Sequence, residues 1–302
     1  MSSAPQPHPA EWTRRPERGS VPLVRFMVWA SLRAGRALSR IILLPIVPYF
    51  FLTAARARAN TRAFLRRALG REPSLGEVFR VFWNFSTTIH DRVFFLQGRF
   101  DLFDVQVRGA ELFGDSGALL MGGHVGSFEA LRACGRVLGK RRVAMAMYED
   151  NARRLNAILA PLDPTAPNDV IALGHVDSMI ALEARLAEGD IVGMLPDRRL
   201  GDEAAIELSF LGVPAAFPTG PMRMAALLRR RVFFMAGVYR GGNRYEVRFE
   251  PLADFAGLDG ADRAARSRAI EEAVRAYAVR LEALARDAPD NWFNFHDFWQ
   301  KA

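Results

Sequence analysis

The chain has 302 residues, half of them hydrophobic, which is enough for one large domain or two small ones with a sizeable core. Its formal net charge of +8 is carried almost wholly by arginine, because Lys140 and Lys301 are the only lysines, and such a balance favours anionic partners such as membrane phosphates, acidic carrier proteins or nucleic acid. A single cysteine, Cys134, excludes an internal disulfide.

Residues 1–20 are rich in proline and polar groups and lack a secretory signal's apolar run, so a mobile tail is expected. From Leu23 onward the chain is apolar, broken by Arg25, Arg33, Arg36 and Arg40. At about 100° per residue these arginines fall within roughly 80° of arc, the pattern of a basic amphipathic helix lying in a membrane interface. An apolar run from Ile41 to Ala55 follows, closed by Arg56 and Arg58. It is shorter than the roughly 20 residues of a spanning helix and contains Pro45 and Pro48. Residues 21–58 therefore read as a membrane-associated segment, and 59–302 as the domain that follows it.

Residues 60–97 are predicted helical, with a break near Gly70–Pro73. Beyond residue 104, short strand-like runs (Asp104–Val107, Ala118–Met121, Val143–Tyr148, Asp169–Leu173, Ile191–Leu195) alternate with helical stretches near 127–138, 150–160, 176–188 and 219–230. This alternation predicts an α/β sheet with helices against it. Two more strands, Val232–Tyr239 and Tyr245–Glu250, flank a Gly241-Gly242-Asn243 hairpin turn. A last helix puts Ile270, Val274, Tyr277, Leu281 and Leu284 on one face.

The segment Gly122-Gly123-His124-Val125-Gly126-Ser127-Phe128-Glu129 follows the strand Ala118–Met121, at a carboxyl end where open α/β sheets place their sites. Ser127 suits the N-cap of the next helix, which leaves His124 on the loop and Glu129 in the first turn. If Gly126 lets the loop fold back, Glu129 can fix the tautomer of His124 so that the neutral ring takes a proton from a hydroxyl. Helix amides nearby could steady an oxyanion. From these residues alone, a turn-capping histidine with a solvent-facing glutamate stays equally open.

Three further blocks accompany it: Gly193-Met194-Leu195-Pro196-Asp197-Arg198-Arg199-Leu200-Gly201; Phe210-Leu211-Gly212-Val213-Pro214 with Pro218-Thr219-Gly220-Pro221; and Asn291-Trp292-Phe293-Asn294-Phe295-His296-Asp297-Phe298-Trp299. With His-x4-Glu after a strand, their order resembles the bacterial lipid A biosynthesis acyltransferase (lysophospholipid acyltransferase-like) family over roughly residues 20–299. The resemblance implies an α/β fold of glycerolipid-acyltransferase type, a mixed sheet with flanking helices, preceded by a membrane-associated helical segment. It also implies transfer of a fatty-acyl chain to a lipid hydroxyl at the cytoplasmic face of a bacterial inner membrane. The donor would be an acyl-carrier protein or coenzyme A thioester, with no covalent intermediate and no cofactor. His124 would be the base and Glu129 its orienting partner. Asp197, Arg198 and Arg199 would lie beside the pocket, an arginine holding phosphate or the thioester oxygen while Asp197 orients a guanidinium; arginine's fork suits phosphate oxygens. Pro-Asp-Arg-Arg stands where many lipid A enzymes carry Asp-Gln, and the chain looks closer to compact relatives of aryl polyene lipid assembly, so lipid A is one acceptor among several.

Thr219 and Gly220 open a helix and read either as a phosphate-binding helix terminus or as a plain cap. The aromatic C-terminal block reads as an acyl groove, an interface anchor or a packing cluster. No Gly-x-Ser-x-Gly elbow is present, and Cys134 reads as a small buried residue. His8, His90, His175 and His296 lack ligand spacing, so no metal site is expected, and no nucleic-acid-binding module is recognised. From another class, a non-catalytic membrane-bound lipid carrier with an acyl pocket is the alternative, against which the His124–Glu129 pair argues.

Overall fold

A computed structural model describes residues 21–114, 116–134, 142–148, 162, 169–173, 176–199, 203–258, 260 and 262–299. The expected tail 1–20 and the expected helix at 150–160 lie outside them. Four helices come first: α1 (Val21–Ser39), α2 (Leu43–Thr53), α3 (Ala55–Leu69) and α4 (Leu75–Leu96). The break predicted near Gly70–Pro73 separates α3 from α4. Gly70 ends α3 in the left-handed conformation, which costs glycine nothing. Ser74 opens α4 in a capping box with Glu77.

Among the described residues nine strands follow: β1 (Asp104–Arg108), β2 (Ala118–Met121), β3 (Val143–Tyr148), β4 (Val170–Leu173), β5 (Ile191–Met194), β6 (Ala205–Phe210), β7 (Val213–Pro218), β8 (Arg231–Tyr239) and β9 (Arg244–Asp254). Between and after them run α5 (Glu129–Cys134), α6 (Val176–Ala187), α7 (Gly220–Leu227) and α8 (Arg263–Asp287). The large sheet has the order β1-β9-β8-β2-β5-β3-β4 and is parallel throughout except at the β8–β9 hairpin. The mixed α/β sheet with flanking helices thus matches expectation. The β6–β7 hairpin, a separate antiparallel pair, was not anticipated. Its tight link, Leu211-Gly212, carries positive φ at both residues, a turn that Gly212 accommodates freely.

Alternation along the strands sends side chains into two cores, one on each face of the sheet. Leu119 and Met121 of β2, Val192 and Met194 of β5, and Phe234 and Ala236 of β8 meet α2, α3, α8 and the first half of α4. Leu120, Ile191, Phe233 and Met235 meet α5 and the last turns of α4, Val93 to Leu96. The predicted face of α8 is buried at Val274, Tyr277, Leu281 and Leu284.

The arginine stripe of the N-terminal segment does not stay on one face. Gly35 leaves helical geometry (φ 74, ψ 166), so the regular 100° phase breaks between Arg33 and Arg36. Arg33 lies over Trp29 on the outside. Arg36 turns inward and holds the Asp91 carboxylate with two hydrogen bonds of 2.8 Å. Arg40 donates to the Gly242 carbonyl at the β8–β9 turn (2.8 Å). Ser39 bonds the buried His90 ring at 2.8 Å. The other side of the segment exposes Phe26, Trp29, Leu38, Ile41, Leu44 and Leu52. The helical run Phe26–Thr53 is long and apolar enough to cross a membrane by length and composition.

Candidate active site

Strands β2 and β5 are parallel neighbours, with Met121 opposite Met194, so the loops leaving their carboxyl ends emerge side by side. His124 sits on the first loop and Asp197 on the second. The amide of Gly122 donates to the Met194 carbonyl (2.9 Å), extending the pairing by one step toward the site. From α8, the buried Tyr277 hydroxyl donates to the Gly122 carbonyl at 2.6 Å.

Asp197, buried to 2 % exposure, grips His124 twice. Its Oδ2 accepts the His124 amide (3.0 Å) and its Oδ1 lies 2.7 Å from the ring Nδ1. A carboxylate only accepts, so Nδ1 carries the proton and Nε2 is the bare nitrogen of the neutral ring. Burial and the positive charge of Arg198 hold His124 below the ordinary histidine value, against the pull of Asp197. Asp197 is held far below the usual carboxylate range: burial opposes its ionisation, but the charge His124 carries once protonated at low pH, its hydrogen bonds, and Arg198 outweigh it. The result is a neutral imidazole beside a fixed carboxylate, its side chain about 30 % exposed, an arrangement chemically able to accept a proton.

The expected partner of His124 is therefore corrected. Glu129, in the first turn of α5, forms an ion pair with Arg92 of α4 at 2.6 Å. It is Asp197 that holds the ring. Gly126 also has a different reason from the one expected. Its φ is +68°, and a side chain there would collide with the Gly237 carbonyl of β8. The close approach lets Ser127 N–H donate to Gly237 O (2.7 Å), docking the loop on the sheet. Ser127 acts as the predicted cap, its hydroxyl 3.4 Å from the Ala130 amide.

Arg198 lies beside this pair, close enough for its charge to act on both members. Arg198 Nε donates to Asn294 Oδ1 (2.7 Å), and Asn294 Nδ2 donates to Asp197 Oδ2 (2.9 Å). Arg199 Nε donates to the Glu203 carbonyl (2.8 Å). The Thr219 hydroxyl donates to the Ala204 carbonyl (3.1 Å) and caps no amide of α7. A side chain at Gly220 would meet the Glu203 carboxylate (2.5 Å), so that helix start faces an acid. Thr219 thus precedes the helix that Gly220 begins without capping it, which corrects the reading of Thr219 as a side-chain cap. Cys134 is buried and its thiol is pushed up to about 12 by burial, which leaves no thiolate at neutral pH. Among the described residues no cluster of His, Cys, Asp or Glu is arranged to hold a metal.

Asn294, Arg92 and Tyr277 were missed as neighbours of the site. Asn294 lies in the C-terminal block Asn291–Trp299, where its amide is one polar group among aromatic side chains. Nothing in the sequence around Arg92 distinguishes it from other helical arginines.

No curated protein sequence matches the chain. Among solved structures it is similar to the 1-acyl-sn-glycerophosphate (LPA) acyltransferase PlsC from Thermotoga maritima, with 17% sequence identity, a TM-score of 0.38, and coverage of 82% of this chain and 98% of that one. The family model for bacterial lipid A biosynthesis acyltransferases matches residues 77–301, a span that holds the whole sheet, the His124 loop and the C-terminal block. By that match the chain belongs to the bacterial lipid A biosynthesis acyltransferase family and is a lipid acyltransferase.

Proposed function

We propose that the protein moves a fatty-acyl chain from an acyl-carrier protein or coenzyme A thioester to a hydroxyl of a lipid A-like or other glycolipid, with His124 as general base. The observation that carries this reading is the 2.7 Å contact between Asp197 Oδ1 and His124 Nδ1, which commits Nε2 to accept a proton. Nε2 takes the proton of the acceptor hydroxyl as its oxygen attacks the thioester carbonyl. The new C–O bond forms, the C–S bond breaks, and the proton passes from the imidazolium to the departing thiolate. Asp197 stabilises the transient imidazolium without becoming protonated. Arg198 or Arg199 binds an anionic part of donor or acceptor, for which a guanidinium fork is suited. Glu129 contributes through Arg92, by fixing the start of α5.

The reading extends to location. We infer that the protein sits on the cytoplasmic face of the inner membrane, with residues 21–58 lying in the interface instead of crossing it. The support is the fastening of Arg36, Ser39 and Arg40, midway along the apolar run, to Asp91, His90 and Gly242 of the catalytic body. A segment held at its midpoint by the folded domain cannot also traverse roughly 30 Å of hydrocarbon.

The test is acyl transfer by the purified full chain, with palmitoyl-coenzyme A and palmitoyl-acyl-carrier protein offered as donors and extracted bacterial membrane lipids as acceptors, read by mass spectrometry. His124→Ala should lower turnover by about 10²–10⁴ while the melting temperature holds. Near-normal turnover by a folded His124→Ala would remove the base from this scheme.

A further inference from the structure

The C-terminal block Asn291–Trp299 clips the His124 loop in place. Gly126 N–H donates to the Asn291 carbonyl (2.9 Å) and Phe293 N–H donates to the His124 carbonyl (2.8 Å). The Asn291 side chain is committed to the backbone of Tyr239, so this part of the clip is anchored on β8. One side chain reaches past the loop: Asn294, 2 % exposed, lies between Arg198 and Asp197. Its carboxamide orientation is fixed from both ends. A guanidinium only donates, so it demands the oxygen; a carboxylate only accepts, so it demands the NH2. The two bonds, 2.7 and 2.9 Å, satisfy both demands at once.

We propose that Asn294 is a positioning residue for the His124–Asp197 pair, setting the orientation and the effective charge of the Asp197 carboxylate. Asp197 Oδ2 receives two donors, the His124 amide and Asn294, while Oδ1 is left for the ring. Those two donors stop the carboxylate from rotating away from Nδ1. They also draw part of its negative charge away from the imidazole. Through its oxygen, Asn294 holds Arg198 near the same carboxylate without displacing His124 from it. A packing-only asparagine at this place would need neither end of its amide. The role concerns the pair itself; its catalytic meaning rests on the reading of His124 as the base.

Nitrogen-15 magnetic resonance of histidine-labelled full-length protein in detergent tests this without any substrate. The His124 signals are identified by their loss in His124→Gln, and the buried His90 reports on the fold. In the wild type the neutral His124 ring should give the signature of the Nδ1–H tautomer. Asn294→Leu removes both bonds at similar volume. It should raise the pKa of His124, because Asp197 loses a donor and Arg198 loses its bond to Asn294, and it should blur the tautomer signature. Asn294→Asp is isosteric and keeps an acceptor for Arg198, but sets a second carboxylate near Asp197. It should raise the His124 pKa further, by about one pH unit or more over wild type. If His124 titrates as in the wild type, with unchanged ring shifts, in a folded variant of either kind, Asn294 is only a packing residue. Because no acyl transfer is measured, a failure here is separate from a failure of the proposed reaction.

Discussion

Asp197 holds both the amide and the ring of His124, so its replacement acts on the tautomer as well as on charge. In Asp197→Asn the new amide can present an N–H to Nδ1 and turn the proton toward Nε2, which disarms the base. Turnover should fall by about 10³–10⁴ in a folded protein, as read by kcat in the acyl-transfer assay. Glu129→Gln leaves Arg92 without its ion-pair partner in a half-buried position and should cost about 1–3 kcal/mol of stability in a denaturant titration. The acid limb of its kcat/KM profile should stay where the wild type has it. In the proposed reaction that limb is set by His124, which works as the neutral ring. Burial and Arg198 lower its pKa, so activity should persist below the ordinary histidine value of about 6.5 and be lost only as pH falls through the lowered value. Arg198→Met removes the positive charge, and the limb should move to higher pH. His124 was readable because glycines and a strand end mark it. Its partner was not, because Asp197 lies 73 residues away and only strand adjacency joins them, whereas Glu129 stood close by in sequence.

At the scale of elements, the N-terminal segment is fastened to the body by a buried polar cluster. Asp91 is fully enclosed and accepts hydrogen bonds from Arg36 and Tyr245 (2.8 Å), with the neighbouring His90 Nδ1 3.6 Å away. Arg36→Leu leaves that carboxylate without its cation and should cost about 3–5 kcal/mol, measured by chemical denaturation. The double variant Arg36→Leu/Asp91→Leu should be more stable than the single one, since no orphaned charge remains. Burial opposes ionisation of Asp91, yet His90, Arg36 and Tyr245 hold its pKa below the unfolded value. Its stabilising contribution is therefore complete above about pH 4 and is lost as pH falls through the lowered value. Removing residues 1–58 is a poor probe of membrane binding, because Leu43, Val47 and Phe51 belong to the core. Phe26→Glu with Trp29→Glu is cleaner, for both side chains are exposed. It should abolish flotation with vesicles of anionic phospholipid and leave the melting temperature nearly unchanged. The elements legible in the sequence were those with a clear period or a marked boundary, such as α8 and the Gly70–Pro73 break. Arg36 was misjudged because a helical wheel assumes constant phase, and Gly35 breaks it. The β6–β7 hairpin escaped because its alternation was read as a motif and its turn, Leu211-Gly212, lacks the usual Asn-Gly signal.

Over the whole molecule, the sheet gathers residues from the length of the chain. Asp104 of β1 pairs with Arg244 of β9, and β2 is flanked by β5 on one side and β8 on the other. The net charge of +8 should make adsorption to anionic membranes weaken with added salt, though exposed apolar side chains keep a remainder that salt does not remove. The adjacency of β2 and β5 also has a consequence in time. Helices such as α4 and α8 depend on local contacts and can form early, whereas the His124–Asp197 pair exists only once distant strands have met, and Asn294 joins it from 97 residues beyond Asp197. During refolding from denaturant, far-ultraviolet circular dichroism should therefore recover before enzymatic turnover does. A chain emerging from the ribosome therefore carries His124 long before it carries the carboxylate and the carboxamide that fix the ring, and the imidazole stays unpaired until both have followed.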